Sequence, residues 1–145
     1  MEAEKVKILK SEQLSVGKAE LRSDGILTFE PDPALMKDYT LSILKEMLDV
    51  FTEMTDGTPC PYFCDNRYVL GLFLKEEKEF MAKHFHEFAT VFAMTERSPV
   101  TRLIANSFVK IQKPKIEIKM FKEKDDAIAW LLAHYGRLDL NHIIS

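Results

Sequence analysis

Five groups of residues in this chain have types or spacings that could do chemistry or hold a partner. Cys60 and Cys64 could form a redox pair or half a metal site. On one extended segment, however, they lie roughly 13 Å apart at about 3.3 Å per residue, too far for a disulfide or a shared metal without a sharp turn. No second Cys/His pair stands at ligand spacing, so both read as small apolar core residues. His84 and His86 make a His-x-His pair with Glu87 beside them. A metal site needs a third or fourth ligand, and the structural reading is preferred. Asp65, Asn66 and Arg67 could hold a ligand or partner, or could simply make turn hydrogen bonds to nearby backbone. Ser98 and Arg102 fall on the first turn of an expected helix, where N–H groups could take an anion. No glycine-rich loop precedes them, and the alternative is an N-cap followed by a salt-bridging arginine. If Arg102 is buried it must be paired, with Asp65 or Asp24 as natural partners. Finally, Tyr68-Val-Leu-Gly-Leu-Phe-Leu74 is apolar in six of seven positions. Exposed, it is a contact patch; buried, it is a loop folded over the core.

These residues need a scaffold, and hydrophobic periodicity outlines one. Lys5–Lys10 alternates briefly, as an edge strand would. Ala19–Arg22 and Ile26–Glu30 flank Ser23-Asp24-Gly25, a strong hairpin signal. Tyr39–Thr55 carries Leu41, Leu44, Leu48, Phe51 and Met54 or Thr55 on one stripe, with Ile43 and Met47 widening it. Asp38 is the expected N-cap and Gly57 the left-handed residue past the last turn. A buried strand is expected over Tyr62–Asp65, then the loop Asn66–Leu74, then a helix over Lys75–His84 with a Glu-rich, solvated first turn. Phe88–Met94 is nearly continuous in apolar residues, as a strand buried on both faces should be. Ser98-Pro99 opens a helix to Ile111 with Val100, Leu103, Ile104 and Phe108 on its stripe. Ile116–Phe121 alternates as a half-wet strand, and Glu123–Tyr135 is a last helix. A hairpin followed by α-β-α-β-α-β-α predicts an α/β fold. Its mixed sheet would have four to five strands, with four helices packed on parallel neighbours.

Composition narrows the function. The 145 residues suggest one domain: an N-terminal segment 1–17, a core 18–136 and a tail 137–145. With 20 basic and 23 acidic residues the net charge is −3, which argues against nucleic acid. No apolar run is long enough to span a bilayer. Two cysteines without an export signal suggest a cytoplasmic setting with both thiols reduced.

The element order resembles the STAS domain, the SpoIIAA-like fold of anti-sigma-factor antagonists. The run Ser98-Pro-Val-Thr-Arg102-Leu-Ile-Ala-Asn106-Ser-Phe108, then Lys113-Pro114, Met120-Phe121 and Ala127-Ile-Ala-Trp130-Leu131, is similar to a family of small bacterial STAS-like proteins of mostly unknown function. Asp24-Gly25-Ile26-Leu27, Gly57-Thr-Pro59 and Asp65 also fit that family, and the resemblance spans about residues 18 to 135. It implies a fold more firmly than an activity, because a shared fold does not carry function. Antagonists of this fold carry a phosphorylatable Ser or Thr in the loop after the middle strand. Here no Ser or Thr occurs from Pro59 through Ala89, so the resemblance implies the scaffold without the usual phosphoswitch.

No nucleophile elbow, phosphate-binding loop, dinucleotide fingerprint or metal cluster is present in the sequence. The expectation is therefore a non-enzymatic module without cofactor, acting by protein–protein contact, with homodimerisation open. Its surface would draw on Asp65, Asn66, Arg67, Tyr68, Leu70, Leu72, Phe73, Ser98 and Arg102. The alternative is a cleft near the same polar residues that binds a small anion or an apolar, lipid-like ligand. Lipid-binding CRAL-TRIO domains share this architecture.

Overall fold

The computed structural model describes residues 5–36, 39–67, 75–96 and 116–133. Among the described residues six strands form one sheet in simple sequential order: β1 (Ile8–Leu14), β2 (Gly17–Arg22), β3 (Leu27–Pro31), β4 (Cys60–Asp65), β5 (Ala89–Thr95) and β6 (Glu117–Phe121). The first three form an antiparallel meander, and β3 through β6 are parallel neighbours. Three α-helices occur among the described residues: α1 (Leu41–Met54), α2 (Lys75–His84) and α3 (Lys124–Leu131). A short 3-10 turn, Phe85–Glu87, comes directly after α2.

The α/β class and mixed sheet are those read from the sequence, but six strands replace the expected four to five. The added strand is β1, which runs beyond Lys10 to Leu14 and pairs with β2 across the two-residue turn Ser15-Val16. That turn lacks the Asn-Gly or Asp-Gly signal, so its hairpin was not legible. The Asp24-Gly25 hairpin behaves as its residues demand: Gly25 takes φ 88°, and Arg22 N–H donates to the Ile26 carbonyl. The helix expected over 98–111, with Ser98 and Arg102, lies outside the described residues, as does the end of the last helix.

Thr40, rather than the expected Asp38, is the N-cap of helix α1. Thr40 is extended (φ −78°, ψ 162°), and its hydroxyl accepts from the Ile43 N–H. The helix buries Leu44, Met47, Phe51 and Met54, a stripe rotated slightly from the expected one, with Leu48 at its flank. Phe51 is the hub of the core. Its ring meets Phe29 at 5.6 Å, Tyr62 at 5.4 Å and Phe88 at 5.0 Å between centroids. Such edge and tilted contacts add to the area each ring buries.

Strand alternation then sorts the core into two halves. Tyr62 and Cys64 of β4, with Phe92 and Met94 of β5, face α1 and α2. Phe63, Val91 and Ala93 face α3, against Ala127, Ile128 and Leu131. Parallel strands added in sequential order with right-handed crossovers place their connecting helices on one face, which is where α1 and α2 lie together. Helix α3, which follows β6, covers the other. Pro61 is tolerated inside this central strand because the β4–β5 register shifts between Cys60 and Pro61.

Candidate functional site

The site is built where β4 ends. In the parallel register Asp65 stands beside Thr95, the last residue of β5. Both chains continue the pairing one step further: Asn66 N–H donates to the Thr95 carbonyl at 3.1 Å, and Glu96 N–H to the Phe121 carbonyl at 3.1 Å. Sheet geometry thus carries the residues of this edge to a defined place before any side chain acts.

Asp65 lies on the α3 side and is held from three directions. Thr95 Oγ1 donates to its Oδ1 at 2.7 Å. Arg67 Nε donates to Oδ1 at 3.0 Å and Nη2 to Oδ2 at 2.9 Å, a bidentate pair. The Arg67 backbone N–H adds a bond to Oδ1 at 3.2 Å, which closes an Asx turn. Burial pushes the Asp65 pKa up. The hydrogen bonds from Arg67 and Thr95, with the Arg67 charge, outweigh that push and hold the carboxyl below its ordinary value.

Asn66 points the other way, into the α1 side, and is buried. Its Oδ1 accepts from the Tyr39 hydroxyl, which stands just before α1, and from Cys64 Sγ at 3.4 Å. Tyr39 Oη and Cys64 Sγ are themselves 3.3 Å apart. Tyr62 Oη sits buried beside the same thiol without a well-aligned hydrogen bond. Burial pushes the Cys64 thiol up to about 12 and raises both tyrosine hydroxyls well above their ordinary range. A thiol held that high is a proton donor inside a packed knot and not a nucleophile at neutral pH.

Several expectations change on this geometry. Asp65 and Asn66 do not form one polar cluster: strand period places them on opposite faces, each in its own network. Asp65 is engaged by Arg67 and Thr95, and Asp24 by Arg22 at 2.7 Å, so the carboxylates suggested for Arg102 already have arginine partners. Glu77, expected on a solvated face of α2, is buried. His84 Nδ1 meets Glu87 Oε2 at 2.6 Å across the end of α2, while His86 lies in the adjoining turn. Cys60 and Cys64 are buried core residues and neither is in a disulfide. Among the described residues no three His, Cys, Asp or Glu side chains gather to hold a metal ion. Tyr68, Leu70, Leu72, Phe73, Ser98 and Arg102 lie outside the described residues. Thr95 and Tyr39 were not foreseen. Only the parallel register brings Thr95 beside Asp65, and only the docking of α1 brings Tyr39 to Asn66.

Among the described residues no helix is long and apolar enough to cross a membrane. Comparison with solved structures finds an uncharacterized protein of the DUF3478 family with a SpoIIAA-like fold, from Shewanella loihica PV-4. The TM-score is 0.55 and the identity 19%, over 90% of this chain and 98% of that one. At that identity the likeness establishes the SpoIIAA-like fold and nothing finer. No curated protein matches the chain. The profile of a domain of unknown function, DUF7793, matches residues 20–135, and the chain belongs to that family.

Proposed function

We propose that this domain is a non-catalytic, STAS-like regulatory module that works by protein contact through the segment leaving β4. The observation that carries this reading is the anchoring of that segment's root. Asp65 is clamped by Thr95 and Arg67, and Asn66 is tied to Tyr39 and Cys64. These polar groups are satisfied within the chain. They hold the backbone in place at the point where the apolar run Tyr68–Leu74 leaves it in sequence. A reaction site would instead need titratable groups poised near the working pH. Here the shifts run outward: the Asp65 carboxyl is lowered, and the Cys64 thiol and tyrosine hydroxyls are raised. With no Ser or Thr from Pro59 through Ala89, regulation would proceed without the hydroxyl phosphoswitch of anti-sigma-factor antagonists.

The test is Leu72→Asp, which places a charge in the run. Circular dichroism should report an intact fold, and affinity capture with quantitative proteomics should lose the partners held by the wild-type chain. A folded variant that keeps every partner would overturn the reading. Native mass spectrometry of the wild-type chain separates the ligand alternative: a bound small molecule retained through purification would shift the assignment to a binding module.

A further inference from the structure

The outer edge of the sheet has its own chemistry. No strand pairs with the outer side of β1 among the described residues, and Ile8 through Gln13 are exposed on both faces. Val6, just before β1, and Ile8 and Leu9 on it stand 44%, 47% and 60% exposed, an unusual concentration of aliphatic side chains at a sheet edge. The backbone phase of this edge can be worked out from the hairpins. Arg22 N–H bonds toward β3, to the Ile26 carbonyl, so by alternation Ala19 and Leu21 turn their polar groups toward β1. Their partners Glu12 and Lys10 therefore bond inward, and Ser11 and Gln13 turn N–H and C=O outward. Leu14, opposite Gly17, lies in the core cluster under α1, which puts Lys10 and Glu12 on that same face. Lys10 is kept at this edge by Asp56 at 3.1 Å and the Met54 carbonyl at 3.0 Å.

We propose that β1 pairs antiparallel with β1 of a second copy about a two-fold axis at Ser11, which makes the two sheets continuous. The charges select this register. With the axis at Ser11, Lys10 of each copy faces Glu12 of the other, within the regular stretch of β1 that follows the register irregularity between Ile8 and Lys10. Ser11 itself is the outward-bonding pair on the axis. An axis at Lys10 or Glu12 sets like charges opposite each other. An axis at Leu9 falls on the register irregularity of β1, and one at Gln13 sets Glu12 against Leu14. Among these axes only the one at Ser11 sets unlike charges opposite each other, and each unlike pair is made twice in an isologous interface. This surface is separate from the end of β4, and its test is independent of that reading.

Sedimentation over a concentration series reads the monomer–dimer equilibrium. Glu12→Lys, which sets Lys10 against a new lysine twice, should weaken dimerisation roughly tenfold. The double variant Lys10→Glu/Glu12→Lys should recover most of that loss. Ser11→Cys should cross-link into a covalent dimer under mild oxidation, since hydrogen-bonded antiparallel pairs lie within disulfide reach. Leu35→Cys, on an exposed position elsewhere, should not cross-link. A chain that stays monomeric to its solubility limit overturns the proposal. So does a dimer indifferent to Glu12→Lys, unrescued by the double variant, or without the Ser11→Cys cross-link.

Discussion

Replacing Asp65 with Asn removes one charge and almost no volume from the root of the segment leaving β4. In the wild-type chain the carboxylate accepts Thr95 Oγ1, Arg67 Nε, Arg67 Nη2 and the Arg67 N–H at 2.7, 3.0, 2.9 and 3.2 Å. The Asp65 side chain is 11% exposed and Arg67 23%, so solvent screens the pair only in part. Asparagine can still accept from Thr95 through its oxygen, but it loses the charge and one acceptor for the guanidinium. Hydrogen bonds to charged groups contribute about 1.5–3 kcal/mol, so Asp65→Asn should cost about 2 kcal/mol at neutral pH. Asp65→Ala should cost about 3 kcal/mol, because it also leaves the fully buried Thr95 without its acceptor. Urea denaturation at a series of pH values is the assay. The sign is set by the lowered folded-state pKa. The carboxylate's contribution is complete above the unfolded value of about 3.9 and is lost as pH falls through the folded value. The gap between wild type and Asp65→Asn should therefore be widest at neutral pH and narrow below about pH 4. Hydrogen exchange adds a local readout, with faster exchange expected at Asn66 and Arg67 in the variant. A variant within about 0.5 kcal/mol of wild type at pH 7, with a parallel pH curve, would refute the anchoring argument.

Two further outcomes test the frame around the site. At Gly17 an added Cβ would stand 2.5 Å from the Glu30 carbonyl oxygen, 2.8 Å from Pro31 Cα and 2.9 Å from Phe29 Cε1. Backbone atoms cannot swing aside, so Gly17→Ala should destabilise the chain by roughly 2–3 kcal/mol in thermal or urea melts. A neutral result would mean that the β2–β3 approach relaxes freely. Cys60 and Cys64 are buried, and the Cys64 thiol is pushed up to about 12. A thiol-reactive chromophore at pH 8 should therefore label neither in the native state and both after unfolding. Rapid native labelling of Cys64 would contradict the packed knot with Tyr39 and Asn66.

Local pattern alone was enough for the elements whose signals are chemical and short-ranged. The Asp24-Gly25 turn, the apolar run of β5 and the stripe of α1 each state their conformation in consecutive residues. Their order then led to the fold, because parallel strands joined by helices admit few arrangements. The brief alternation of Lys5–Lys10 marked an edge strand, but the β1–β2 hairpin was illegible, since Ser15-Val16 is not a turn signal and Ile8 through Gln13 are exposed on both faces. The role of the site residues was likewise a tertiary matter. The sequence places Asp65, Asn66 and Arg67 side by side as one polar group. The strand's two-residue period then sends Asp65 to Thr95 on one face and Asn66 to Tyr39 on the other. Those partners are 30 and 27 residues away, brought near only by the β4–β5 register and the docking of α1. Residue type and spacing thus determined where the sheet has a polar end. Which of those groups bind one another was decided by packing, because a hydrogen-bond partner is chosen by distance in space.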